Sequence, residues 1–99
     1  MLTAEQLRAA RALLRWGQST VAEHSGISVE TIKRLERMAG PLRSTKAGTL
    51  EALELAFQAA GVIFIEESDE GPGVRLRKDY LSATDEADQI SWTDESEEP

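Results

Sequence analysis

Residues 18–37 decide the fold, and they read QSTVAEHSGISVETIKRLER. The first half is a short amphipathic segment with Val21 as its apolar residue. In the second half Ile32 and Leu35 are three residues apart, the spacing of a helix that buries one face. Gly26 lies between the halves, and a glycine can adopt the positive φ that a tight turn requires. The pattern predicts two short helices joined by a tight turn.

The residues around this turn meet the demands of two helices that cross at a steep angle. Ala22 is small where the first helix approaches the second, and Ile27 can plug the turn from inside. Ser28 is a good N-cap for the second helix. We therefore expect helices over residues 18–24 and 28–38.

Helices are also predicted before and after this pair. Thr3 and Gln6 have the spacing of a capping box, and Gly17 is expected to end the first helix in a left-handed turn. Residues 47–60 carry apolar side chains at steps of three and four, and Gly61 follows them. The first three-fifths of the chain thus predicts a helical domain.

After Gly61 the pattern changes to that of strands. Residues 62–65 read VIFI, and residues 74–77 alternate with period two. The connection is too long for a two-residue turn, so we expect a hairpin with a longer loop. A two-stranded hairpin is marginal in water, and residues 62–65 are apolar on both faces, so the hairpin of a second subunit is expected to cover it. The predicted dimer contact consists of Val62, Ile63, Phe64, Ile65, Val74 and Leu76.

The net charge of −7 argues at first against nucleic acid, which requires cations to replace its counterions. The charge is unevenly distributed, because residues 1–60 carry +2 and residues 61–99 carry −9. Residues 79–99 contain eight acids and no base, which predicts a solvated, flexible tail. The N-terminal part can therefore still bind an anion.

The composition argues against several classes of protein. Without cysteine there is neither a disulfide nor a thiolate metal site, and a single histidine, His24, cannot build a metal site alone. No nucleophile–base pair or Gly-rich phosphate loop is present, so neither an enzyme nor a cofactor is expected. The longest strongly apolar run, residues 62–65, is far too short to span a membrane. We expect a cytoplasmic protein with no membrane partner.

Residues 2–60 resemble the phage-repressor/Cro type of helix-turn-helix, often called the XRE family. The resemblance is carried by RALLRWGQ at 11–18, VAEHSGIS at 21–28 and TIKRLER at 31–37. The stretch GPGVRLR at 71–77 resembles the C-terminal end of many short bacterial regulators of this type. The resemblance implies a mainly α fold of four to five helices. The chain is thus expected to comprise a DNA-binding domain over residues 1–61, a β-hairpin over 62–78 and the acidic tail over 79–99.

The resemblance also implies which residues meet DNA. Gln18 and Ser28 would approach phosphates at the starts of their helices, while Val29, Glu30 and Arg34 would face base edges. By side-chain chemistry Arg34 suits guanine, Glu30 a cytosine amino group and Val29 a thymine methyl group. Glu30 has an alternative role, because an acid in the first turn stabilises its helix through the macrodipole. Further phosphate contacts are expected from Thr31, Lys33, Arg37, Arg43 and Lys46.

Other charged and aromatic residues have simpler interpretations. Arg8, Arg11 and Arg15 lie along the polar side of the first helix, where we expect mostly a solvated face, with Arg15 the nearest to a phosphate. Glu36 is expected to brace the motif through an ion pair, and Trp16 to lie at the edge of the core.

The expected function is that of a homodimeric transcriptional regulator, a repressor, that binds double-stranded DNA. The alternatives are an anti-activator that holds another regulator, and an antitoxin. Both would use the helical fold or the acidic tail, in which Ile90 and Trp92 exceed what a solubilising tail needs.

Overall fold

A computed structural model describes residues 1–80 of the chain. Within them the elements are α1 (Ala4–Leu14), α2 (Gln18–Ser25), α3 (Val29–Glu36), α4 (Ala47–Ala59), β1 (Val62–Ile65) and β2 (Gly73–Leu76). The chain is helical again at residues 78–80. The predicted mainly helical fold with a hairpin after the helices is confirmed.

Helix α1 begins at the predicted capping box but does not end as expected. The Gln6 N–H donates to Thr3 Oγ1 at 3.0 Å, and the Thr3 N–H donates to Gln6 Oε1 at 2.9 Å. At the other end Arg15, not Gly17, is left-handed, with φ 58°. The Trp16 N–H bonds to the Arg11 carbonyl, the closure of a Schellman motif, which places the left-handed residue at position 15. Gly17 has φ −79° and instead begins α2 as its N-cap.

The turn between α2 and α3 has the predicted construction. Gly26 ends α2 with φ 76°, and Ser28 Oγ accepts the Thr31 N–H at 3.2 Å as the N-cap of α3. Ala22 and Ile27 both pack against the core. The observed α3 is shorter than predicted, since it ends at Glu36 and Met38 lies in the following turn.

The core lies between the four helices and the inner face of the hairpin. Trp16 stacks on Phe57, with ring centroids 5.7 Å apart, and on His24 at 4.4 Å, which confirms its predicted place at the core edge. The largest fully buried side chains are Phe57, Leu2, Leu7, Ile32, Leu35, Leu42, Leu53, Val21 and Val62.

No helix in residues 1–80 is long and apolar enough to cross a bilayer.

The hairpin packs one face on the chain's own helices. Val62 pairs with Leu76 and Phe64 with Val74, and directly paired residues share a face of an antiparallel sheet. All four pack in or against the core, and Phe64 meets Phe57 edge-on at 6.1 Å. Val62 is only 1% exposed, so its predicted role in a dimer contact is wrong, because α1 and α4 already cover this face.

The opposite face of the hairpin carries Ile63 and Ile65, which pair with Arg75 and Gly73. Ile65 is 36% exposed. These two isoleucines are the part of the predicted dimer contact that faces away from the core.

Tyr80 fixes the last described turn to the body of the protein. It packs against the core cluster, next to Gly61 at the start of the hairpin. The predicted boundary of the acidic tail at residue 79 therefore falls inside a packed turn. Ile90, Trp92 and the rest of residues 81–99 lie outside the described residues.

Candidate nucleic-acid interface

Helix α3 divides its residues between the core and the surface. Ile32 and Leu35 are fully buried. Glu30, Lys33 and Arg34 are exposed, and Val29 is partly so. The residues predicted to read bases are thus accessible on the surface of one helix.

Ser28 and Thr31 share a hydrogen bond at the start of α3. Ser28 Oγ donates to Thr31 Oγ1 at 3.0 Å while it accepts the Thr31 backbone N–H. In this arrangement the Ser28 proton is already used. The Thr31 hydroxyl proton is then the one available to a phosphate oxygen.

Gln18 has a partner inside the protein that the sequence did not predict. Its Nε2 donates to Glu36 Oε1 at 3.0 Å, which links the start of α2 to the end of α3. The amide keeps a second N–H, so bracing and a phosphate contact are compatible.

Glu36 forms the predicted brace with Arg11. The pair is bidentate, with Nε–Oε2 at 2.8 Å and Nη2–Oε1 at 3.1 Å, and Glu36 is only 7% exposed. Arg11 also donates to the Trp16 carbonyl at 3.0 Å. Bidentate pairs fix orientation as well as distance. We call Arg11, Gln18 and Glu36 the bracing cluster.

Arg8 and Glu5 hold the segment that follows α3. Arg8 Nη1 donates to the carbonyls of Glu36 and Met38, and the Glu5 carboxylate accepts the Gly40 N–H at 3.0 Å. Hydrogen bonds from its own backbone N–H and from the Gly40 N–H hold the pKa of Glu5 below its usual value. Desolvation opposes them to a smaller extent, and the charge of Arg8 adds the smallest lowering. The predicted solvated face of α1 is therefore incomplete, because Arg8 and Arg11 also donate to Glu36, 28 and 25 residues further along the chain. Arg15 is exposed as expected.

A polar cleft of about 280 Å³ lies beside α3. Its walls bring together three predicted site residues, Thr31, Arg34 and Lys46. Three hydroxyl residues that were not predicted complete it, namely Ser44, Thr45 and Thr49. The sequence feature that could have identified these residues is the group of small hydroxyl side chains around Lys46, at the start of a predicted helix. Thr45 Oγ1 is buried and has no hydrogen-bond partner among residues 1–80.

The helix N-termini fall into two kinds. Helices α1 and α3 have side-chain caps, from Thr3 and Ser28, and each has an acid in its first turn. Helices α2 and α4 begin at Gly17 and Lys46 with no side-chain cap and no acid in the first turn. The positive ends of α2 and α4 are therefore not neutralised locally, which favours a bound anion.

The remaining predicted phosphate contacts are exposed cations. Lys33, Arg37 and Arg43 are exposed, as is Lys46. None of them forms an ion pair within residues 1–80. No group of three or more His, Cys, Asp or Glu side chains in that part of the chain is arranged to hold a metal ion.

The chain matches no protein-family model and no curated protein. The argument for its function therefore depends on the site itself.

Proposed function

We propose that this chain is a sequence-specific DNA-binding transcriptional regulator, a repressor, with α3 as its recognition helix. The observation that carries the proposal is the cleft beside α3. There Arg34 and Thr31 of the exposed helix face lie next to Lys46 at the uncapped N-terminus of α4. Base-reading and phosphate-binding chemistry are thus adjacent.

Base recognition would come from the exposed face of α3. In helix-turn-helix proteins the N-terminal half of the second helix enters the major groove. Arg34 would make two hydrogen bonds to a guanine, Glu30 would accept from a cytosine amino group, and Val29 would contact a thymine methyl group. Glu30 lies in the first turn of α3, where its alternative role is to stabilise the helix through the macrodipole.

Phosphate binding would come from both sides of α3. On one side, the uncapped start of α2 presents its backbone N–H groups and the second amide N–H of Gln18. On the other side, Arg43, Lys46 and the start of α4 present a second anion site. Thr31, Lys33 and Arg37 would add contacts between them, and Ser28 would orient the Thr31 hydroxyl for its contact. Such contacts set position on the duplex without reading sequence.

Two copies would bind together through the outer face of the hairpin. Ile63 and Ile65 face away from the chain's own core, and a second hairpin would cover them. A two-fold dimer would place its recognition helices about 34 Å apart, one turn of DNA. Analytical ultracentrifugation of Ile63→Lys tests this contact, because a charge there should produce monomers.

The deciding experiment is selection of bound sequences from random double-stranded DNA, followed by anisotropy titration of the enriched sequence. A common motif and tighter binding to it than to shuffled DNA support the proposal. Failure to enrich any sequence, with no binding at low salt, would reject it. That result would favour the protein-binding alternatives, anti-activator or antitoxin, which the exposed Glu30 and the acids of residues 61–99 suit better.

A further inference from the structure

An apolar groove of about 460 Å³ lies between α1, the loop after α3 and the hairpin connection. Ala9 comes from α1, Pro41 from the loop, and Pro72 and Val74 from the hairpin. Pockets of this size suit small organic ligands. The groove contains none of the residues assigned to DNA.

Two carboxylates line the groove, Glu5 and Glu67, and no basic residue does. Glu5 has partners, because the Arg8 guanidinium lies 3.8 Å away and the Gly40 N–H donates to its carboxylate. Glu67 forms no ion pair within residues 1–80, and residues 81–99 contain no Lys or Arg that could supply one. The groove is therefore apolar, with one uncompensated carboxylate, that of Glu67, on its rim.

We infer that this groove binds a small organic cation, with an apolar or aromatic body against the two prolines and an ammonium group beside Glu67. The apolar body gains from leaving water, while the ammonium group gains from the charge of Glu67. An anion of the same shape meets repulsion from Glu67. Backbone phosphates are excluded for the same reason, so this site is separate from the proposed DNA face.

The test uses two probes with the same body and opposite charge, 2-(1-naphthyl)ethylammonium and 1-naphthylacetate. Each is titrated into ¹⁵N-labelled full-length protein while amide chemical shifts are followed. The cation should shift the amides of Gly40, Gly73 and Val74, and the acetate should bind at least roughly fivefold more weakly. Equal affinity for both probes, or shifts only elsewhere, would overturn the inference. DNA is absent from the assay, so its outcome is independent of the proposed function.

Substitutions of residues that line the groove test whether the cation binds there. Glu67→Gln should weaken the cation roughly threefold and should not weaken the acetate, whereas the control Glu51→Gln, on α4, should change neither. Ala9→Trp should fill the groove and abolish binding. If Ala9→Trp fails to fold, Glu67→Gln still decides, because unchanged cation affinity there would refute the role of the rim. Tighter binding of the peptide acetyl-Trp-Lys-amide than of the naphthyl cation would assign the groove to a protein segment and overturn the small-ligand assignment.

Discussion

Gln6 Nε2 donates a hydrogen bond to the Gly73 carbonyl at 3.0 Å, which joins α1 to β2. The same nitrogen donates to the Ile65 carbonyl at 3.1 Å, while Gln6 Oε1 accepts the Thr3 N–H. The buried Gln6 side chain thus caps α1 and also binds the two residues that flank the hairpin connection, Ile65 and Gly73.

Replacing Gln6 by Leu should lower the free energy of unfolding by about 2–3 kcal/mol, because one buried and two partly buried backbone groups lose this partner. Urea unfolding followed by circular dichroism measures the loss. Gln58→Leu, at an exposed position on α4, is the matched control and should change stability by less than about 0.5 kcal/mol. Similar values for the two variants would contradict the role given to Gln6.

Removing only one member of the charged pair in the bracing cluster should lower the stability of the protein. Arg11→Met leaves the buried Glu36 carboxylate without its charge partner, and we expect a loss of about 2–4 kcal/mol. Asp79→Ala breaks the exposed pair with Arg77 and serves as control, with an expected loss below about 0.5 kcal/mol. The double variant Arg11→Met/Glu36→Leu should recover part of the loss. Additive effects would show that the two residues act independently.

Two glycines with positive φ should differ in their tolerance of a side chain. At Gly26 a Cβ meets no atom within 4 Å, so Gly26→Ala carries only the backbone cost, about 1 kcal/mol. At Gly61, with φ 112°, a Cβ would lie 2.7 Å from Tyr80 Cδ2, and we expect a loss of about 2–4 kcal/mol. Tyr80→Ala should make Gly61→Ala less costly. If both alanine variants lose the same stability, the contact between Gly61 and Tyr80 is not important.

Arg34 and Lys46 should affect DNA binding in different ways. Arg34→Ala should cost about 1–3 kcal/mol on the selected sequence and relax preference at one base pair. Lys46→Ala should weaken all sequences alike and reduce the slope of log K against log salt by roughly 0.9. Lys78→Ala, an exposed cation on the turn after the hairpin, is the charge-matched control. Equal loss on every sequence for Arg34→Ala would make it a phosphate contact.

Removing the acidic tail should strengthen DNA binding if the tail repels the duplex. The packing of Tyr80 moves the truncation point from residue 79 to residue 81. Seven of the 18 acidic residues and none of the 11 basic ones lie in residues 81–99, so the shortened chain has no net charge. The gain should be largest at low salt and fade as salt screens it. Titrations of both chains across salt concentrations measure this, and identical affinities would refute simple repulsion.

Features set by neighbouring residues could be predicted from the sequence. The caps Thr3 and Ser28 and the turn glycine Gly26 depend on chemistry within a few positions. The left-handed residue after α1 could not be predicted, because Gly17 looked the easier choice. It is Arg15 instead, since Trp16 closes the helix through Arg11 and packs on Phe57.

Features set by distant residues could not be predicted. Arg8 and Arg11 look like solvated charges until folding brings the end of α3 beside α1. The strand VIFI is apolar on both faces, so its pattern alone could not tell which face the helices cover. The polar cleft likewise joins Thr31 of α3 to Thr49 of α4, and no local pattern spans the two.

The hydrogen bond from Gln6 to Gly73 also bears on synthesis, because the ribosome releases Gln6 long before Gly73 exists. A nascent chain that ends ahead of β2 can form its helices, yet the edge of β1 lacks its pairing strand and the Gln6 amide lacks the Gly73 carbonyl as an acceptor. Bringing Gln6 and Gly73 together closes a long loop, and the lost chain entropy is offset only when the contacts between them have formed. We therefore expect the N-terminal helix to reach its final stability only when the hairpin has emerged.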